Sequence, residues 1–128
     1  MTSREFVRKW VEKAEENLRA AEVLAERGMY AAACFHVQQA AEMALKGLLI
    51  NLAGIQPLTH SLVEIAEKVM EYSTARLPDV NELRWLQEHY LQIRYPNARL
   101  SKYVAEEAER AVRIAAEVVK AVNEEIRR

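Results

Sequence analysis

The chain has 128 residues, 51% of them hydrophobic and 29% charged, with three Gly, three Pro and one Cys. That composition excludes a turn-rich β fold and a disulfide scaffold, and the length is enough for one domain, residues 1–128, to bury a core without metal or covalent staples. A formal net charge of −1, from 18 Lys and Arg against 19 Asp and Glu, excludes a generally basic coat for nucleic acid but not a local basic patch.

Taken in order, the first element opens at Thr2 and Glu5, which have capping-box spacing. Val7, Val11, Ala14, Leu18, Ala21 and Ala25 then recur at steps of four and three, predicting a long amphipathic helix that ends near Gly28. Residues Tyr30 to Ala53 predict a second helix, apolar around most of its circumference, stopped by Gly54 and central to the core. A loop from Gly54 to His60 follows, and Ser61 with Glu64 offers a capping box for a short helix carrying Leu62, Ile65, Ala66 and Val69. After a connector from Tyr72 to Leu77, Pro78 suits the first position of a fourth helix bearing Leu83, Leu86, Tyr90 and Ile93. That helix must stop near Tyr95-Pro96, because proline disfavours helical geometry in the residue before it. A last helix is expected from near Ser101, with Val104, Ala108, Ala111, Ala115, Val118, Val122 and Ile126 as its apolar stripe. The expected fold is all-α, an antiparallel up-and-down bundle of five helices.

Within the second helix, Gln39, Glu42 and Lys46 are written three and four residues apart and fall on one stripe of an element otherwise fit for burial. Buried polar groups need partners, so the stripe predicts either an internal hydrogen-bond network or contact with a ligand. Glu42 and Lys46 have the favourable spacing and order for an intrahelical ion pair. Of Gln38 and Gln39, one is expected to satisfy a neighbouring helix and the other to face solvent.

The remaining polar candidates are His60, in the loop before the third helix, and Arg94 with Tyr95, where proline turns the chain out of the fourth. Arg94 offers a planar fork suited to phosphate, and a salt bridge to a neighbouring helix is the alternative. His36, His60 and His89 have no zinc-site spacing, Cys34 reads as a small core residue, and phosphate-cradling glycine loops are absent. No metal or cofactor is expected. With no apolar run of about 18 residues and no secretory core at the N-terminus, the chain reads as soluble and cytoplasmic, with no membrane partner.

Gln38-Gln39-Ala-Ala-Glu42 with Lys46, then Thr59-His60-Ser61-Leu62, then Tyr90 with Arg94-Tyr95-Pro96, together resemble the HEPN domain, the higher-eukaryote and prokaryote nucleotide-binding family, over nearly the whole chain. The resemblance implies a helical bundle that dimerises, with a polar cleft near the subunit junction formed here by Gln39, Glu42, Lys46, His60, Arg94 and Tyr95. It further implies nucleotide or RNA as ligand, a minimal nucleotidyltransferase antitoxin as partner, and in toxin members a metal-independent cleavage of RNA. Those ribonucleases carry an Arg, four to six residues, then a His. Here no His follows Arg94 through Ser101. Arg84 and His89 match the spacing formally, but five helical steps rotate by roughly 140°, so the two are not expected to share a face. A nucleotide-binding or partner-binding component is therefore favoured over an Arg94 ribonuclease with an unconventional base, and a structural dimerisation module is the third alternative.

Overall fold

The computed structural model describes residues 3–94 and 102–128, with backbone alone at 90, 91, 93 and 94. Five helices follow one another: α1 (Ser3–Glu26), α2 (Tyr30–Ala53), α3 (Leu62–Met70), α4 (Val80–Arg94) and α5 (Ala105–Ile126). No strand occurs among the described residues.

The central place of α2 follows from its sequence. Apolar on nearly every face, it packs against each of the other four helices. Ala33, Cys34, Val37, Ala41, Ala44, Leu45, Leu48 and Leu49 are all fully buried on it. Its largest contact is with α1, which offers the stripe Val7, Val11, Ala14 and Ala21, with Leu18 and Ala25 partly buried beside it. Small residues on both sides allow the close approach. The tightest point is Gly47, where an added Cβ would lie 3.0 Å from the Cβ of Trp10.

The turn between these helices is a Schellman motif. Gly28 takes φ +76°, the Met29 amide donates to the Leu24 carbonyl at 2.9 Å, and the Gly28 amide donates to Ala25 at 3.1 Å. Farther along, Gly54 ends α2 at φ +67° with its amide on the Ile50 carbonyl at 2.8 Å. Both stops fall where the sequence places glycine.

Two helix starts differ from expectation, and one expected capping box is incomplete. The fourth helix begins at Val80 rather than Pro78, because the Asp79 carboxylate accepts the Glu82 amide at 3.0 Å and so takes the capping position. The fifth begins at Ala105 rather than near Ser101; the Glu107 carboxylate reaches back to accept the Val104 amide at 3.0 Å, which places the first turn there. At α3 the Ser61 hydroxyl accepts the Glu64 amide at 3.2 Å, but the Ser61 amide donates to Thr59 Oγ1 at 3.1 Å and not to Glu64, so the cap is one-sided. Thr2, the expected first cap, lies outside the described residues.

Candidate functional site

The buried polar stripe of α2 is built from Gln38, Glu42 and Lys46, one turn apart. Lys46 Nζ donates to Glu42 Oε2 at 2.9 Å, and both side chains are more than nine-tenths buried. The expected ion pair therefore exists, inside the protein. Gln38 is the buried glutamine, fully excluded from solvent, while Gln39 is half-buried.

His60 crosses to this stripe from the loop that follows α2. Its Nδ1 lies 2.9 Å from Glu42 Oε2, the oxygen already held by Lys46. A carboxylate accepts, so Nδ1 carries the proton and donates. The His60 main-chain carbonyl accepts from Gln38 Nε2 at 3.4 Å, so the residue is gripped at both backbone and ring by side chains one helical turn apart. Its ring stays largely in solvent, with the side chain 65% exposed. The result is a buried carboxylate presenting an imidazole at the surface. Gln38 Oε1 and Glu42 Oε1 are buried with no donor among the described residues.

The next residue ties this loop to α4. The Ser61 hydroxyl donates to Gln87 Oε1 at 2.9 Å, and the Val63 amide donates to the same oxygen at 3.2 Å. Gln87 thus holds the start of α3 against α4. Arg94 stands seven residues beyond Gln87, two turns on along the same stripe of α4 at its last position. The Arg94 side chain and the whole of Tyr95 lie outside the described residues and stay expectations. Of the rest of the expected site the structure brings together Glu42, Lys46 and His60, whereas Gln38 takes the place expected of Gln39, because the Gln38 side chain is the one that turns inward to the His60 carbonyl.

Arg84 and His89 do not converge. The exposed Arg84 guanidinium donates to Asn81 Oδ1 at 3.3 Å, one turn back on its own helix. His89 is buried, donating from Nδ1 to the Trp85 carbonyl at 2.9 Å, with Nε2 3.2 Å from Glu107 Oε2 on α5. The Trp85 ring meets the His89 ring, at 4.0 Å between centroids, and the Arg110 guanidinium, 4.1 Å from the Trp85 ring centre. This cluster fastens α4 to α5. Likewise His36 donates to Asn17 Oδ1 at 2.9 Å and fastens α2 to α1, while Cys34 is a fully buried core residue.

Sequence reasoning passed over Gln87 altogether and left Gln38 undecided. The i, i+4 spacing of Gln38 and Glu42 was an available signal, because one approaching residue can be held by both. Gln87 gave none: its importance arises from which loop packs on it. Among the described residues no group of three or more His, Cys, Asp or Glu is placed to hold a metal ion, and no helix is long and apolar enough to cross a membrane.

The chain that folds into this bundle matches a known family model. The HEPN domain model matches residues 7–126, and the chain belongs to the HEPN family. Among proteins similar to it, one of Methanocaldococcus jannaschii carries the name "Putative toxin MJ1304"; the two are 26% identical over 133 residues, covering 93% of this chain and 87% of the other. The crystal structure of TT1696 from Thermus thermophilus superposes with a TM-score of 0.82 at 34% identity, over 92% of this chain and 96% of that one. ST0689, described as an archaeal HEPN homologue, gives a TM-score of 0.70 at 26% identity over 94% and 97% of the two chains.

Proposed function

We propose that this chain is the toxin-type member of a two-protein system, an HEPN component that binds RNA or a nucleotide at the surface where Glu42 presents His60, with Arg94 supplying a phosphate contact. A homodimer is its working form, and a minimal nucleotidyltransferase is its antitoxin. The observation that carries this is the 2.9 Å contact between the buried Glu42 carboxylate and the exposed His60 ring. Burying an acid and a lysine is weak support for stability, since desolvation offsets much of the attraction. Orienting a surface imidazole is a use for that arrangement. Similarity to a protein named as a toxin supports the same assignment.

A second function, metal-independent cleavage of RNA, is favoured by one detail of the same contact. Held by Glu42 through Nδ1, the His60 ring would in its neutral form offer Nε2 as the lone pair a general base requires. Nε2 would accept the proton of a ribose 2′-hydroxyl as its oxygen attacks phosphorus, and the departing 5′-oxygen would take a proton from water. His60 would then replace the histidine absent after Arg94.

One experiment separates the two. Purified protein is mixed with fluorescent single-stranded RNA in chelator, and binding and length are read together for wild type, His60→Ala and Arg94→Ala. Binding that weakens in both variants while wild type leaves RNA intact supports the first function. RNA cut by wild type and spared by His60→Ala supports the second. RNA left intact by all three proteins overturns the second function, and RNA bound equally by all three, or by none, overturns RNA binding at His60 and Arg94 as the first. Co-purification with the nucleotidyltransferase encoded by a neighbouring reading frame tests the partner.

A further inference from the structure

A cleft of about 310 Å³ lies between α3 and the start of α4, and it shares no residue with the Glu42 and His60 site. Val63, Ala66, Glu67 and Met70 form one wall; spaced at i, i+3, i+4 and i+7, they occupy one face of α3 over two turns, about 10 Å. Val80 and Leu83 of α4 form the other, and residues 75, 77 and 78 of the connector complete the lining. Val63, Ala66 and Leu83 are buried at the base, whereas Met70 is 48% and Val80 43% exposed.

We propose that this cleft is a docking groove for a basic amphipathic helix of a partner protein, which seats a large apolar side chain in it as an anchor. Glu67 is the single charged residue of the lining, and the rest of the lining is apolar. From residue 62 to residue 83 the chain carries Glu64, Glu67, Glu71, Asp79 and Glu82 against only Lys68 and Arg76. Lys68 is paired with Glu71 at 2.9 Å, and Arg76 lines a different cavity with Glu117 and Glu124 of α5. Glu64, Glu67, Asp79 and Glu82 make no ion pair among the described residues. The cleft is therefore apolar within and borne on a negative segment, in a chain whose net charge is only −1. An apolar anchor flanked by cations complements both properties.

Charge and size select the occupant. A negative segment repels the phosphates of RNA and of anionic lipid, whereas lysines beside an anchor are drawn to it. The volume stands at the bottom of the small-ligand range of about 300 to 1,000 Å³, which suits an anchor side chain better than a whole ligand. Helices that dock in grooves present apolar residues at i, i+3, i+4 and i+7, and two turns of α3 give such a helix a wall long enough for anchors one turn apart. Met70 suits the rim, because an unbranched thioether side chain adapts to the surface it meets.

The test is fluorescence anisotropy of the full chain with a labelled synthetic peptide about four turns long, its leucines at i, i+3, i+4 and i+7 and lysines elsewhere. One control peptide has glutamate in place of lysine, and another has the same composition with its leucines scattered around the helix. The first peptide is expected to bind and each control to bind at least about tenfold more weakly. Met70→Ala/Val80→Ala, at two exposed positions, is expected to weaken binding at least about tenfold, with far-UV circular dichroism confirming the fold. Glu67→Lys should weaken the lysine peptide and strengthen the glutamate one, by an amount that shrinks as salt is raised. Binding unchanged in His60→Ala keeps the groove separate from the proposed RNA site. No binding to wild type, equal binding of all three peptides, binding unchanged in both groove variants, or binding lost in His60→Ala overturns the proposal. Two further outcomes overturn it by naming another occupant. A change of oligomeric state in Met70→Ala/Val80→Ala, read by sedimentation velocity, assigns the groove to a second copy, and retention of wild type but not that variant on phosphatidylcholine vesicles assigns it to lipid.

Discussion

The exposed ring of His60 is held at 2.9 Å by the buried carboxylate of Glu42, eighteen residues earlier in the chain. The same oxygen holds Lys46, so one acid anchors both a surface imidazole and an internal ammonium. Replacing Glu42 by Gln keeps the shape and removes the charge, leaving Lys46 buried without a counter-ion. Such a loss costs about 3 to 5 kcal/mol, and urea unfolding at neutral pH should show it. Adding Lys46→Met to that variant should recover part of the loss, since no uncompensated charge then remains. An unfolding free energy unchanged in Glu42→Gln would refute the buried pair.

Gln38→Leu should behave differently although Gln38 is just as buried. It removes one long hydrogen bond, at 3.4 Å to the His60 carbonyl, and also removes an acceptor oxygen that has no donor among the described residues. The two effects oppose, and the net change should stay below about 1 kcal/mol. What should change is order: the amides of residues 59 to 61 are expected to exchange with solvent faster, as read by mass spectrometry.

Gln87→Ala strips an acceptor shared by the Ser61 hydroxyl and the Val63 amide. A cost of about 1 to 3 kcal/mol is expected, with Gln87→Glu retaining most of the stability because it keeps an acceptor in place. Hydrogen exchange at Val63 offers the direct check; protection identical to wild type would contradict the contact.

The glycines separate by environment. At Gly47 an alanine methyl would meet the Trp10 Cβ at 3.0 Å, and an atom fixed to the α1 backbone moves only with the helix. Overpacking of that kind costs about 1 to 3 kcal/mol. At Gly54 the surroundings are open but φ is +67°, so Gly54→Ala should cost about 1 to 2 kcal/mol through backbone strain alone. Denaturant midpoints distinguish the sites further, because Trp10 fluorescence should change in the folded state of the first variant and not of the second.

Helix content was legible because it rests on short-range pattern. Both ends of α2 coincide with Tyr30 and Ala53, where glycine-bearing turns flank an apolar run. The starts of α4 and α5 were less so, since Asp79 and Glu107 act as capping groups through side-chain geometry that proline position and the apolar stripe do not reveal. At the site, Glu42 and Lys46 could be paired from spacing. The closure of His60 onto Glu42 and of Ser61 onto Gln87 could not, because each joins segments whose approach is decided by packing across the bundle.

The short turn at Gly28 bears on how the chain folds. Residues 27–29 alone separate α1 from α2, the two helices with the most extensive mutual packing, so their pairing closes a small loop at little entropic cost. Contacts local in sequence form early, and this hairpin is the natural nucleus. Substitutions within it, such as Gly28→Ala, should slow refolding, whereas His60→Ala should act mainly on the unfolding rate. The acid on α2 would thus be in place before the histidine it holds arrives.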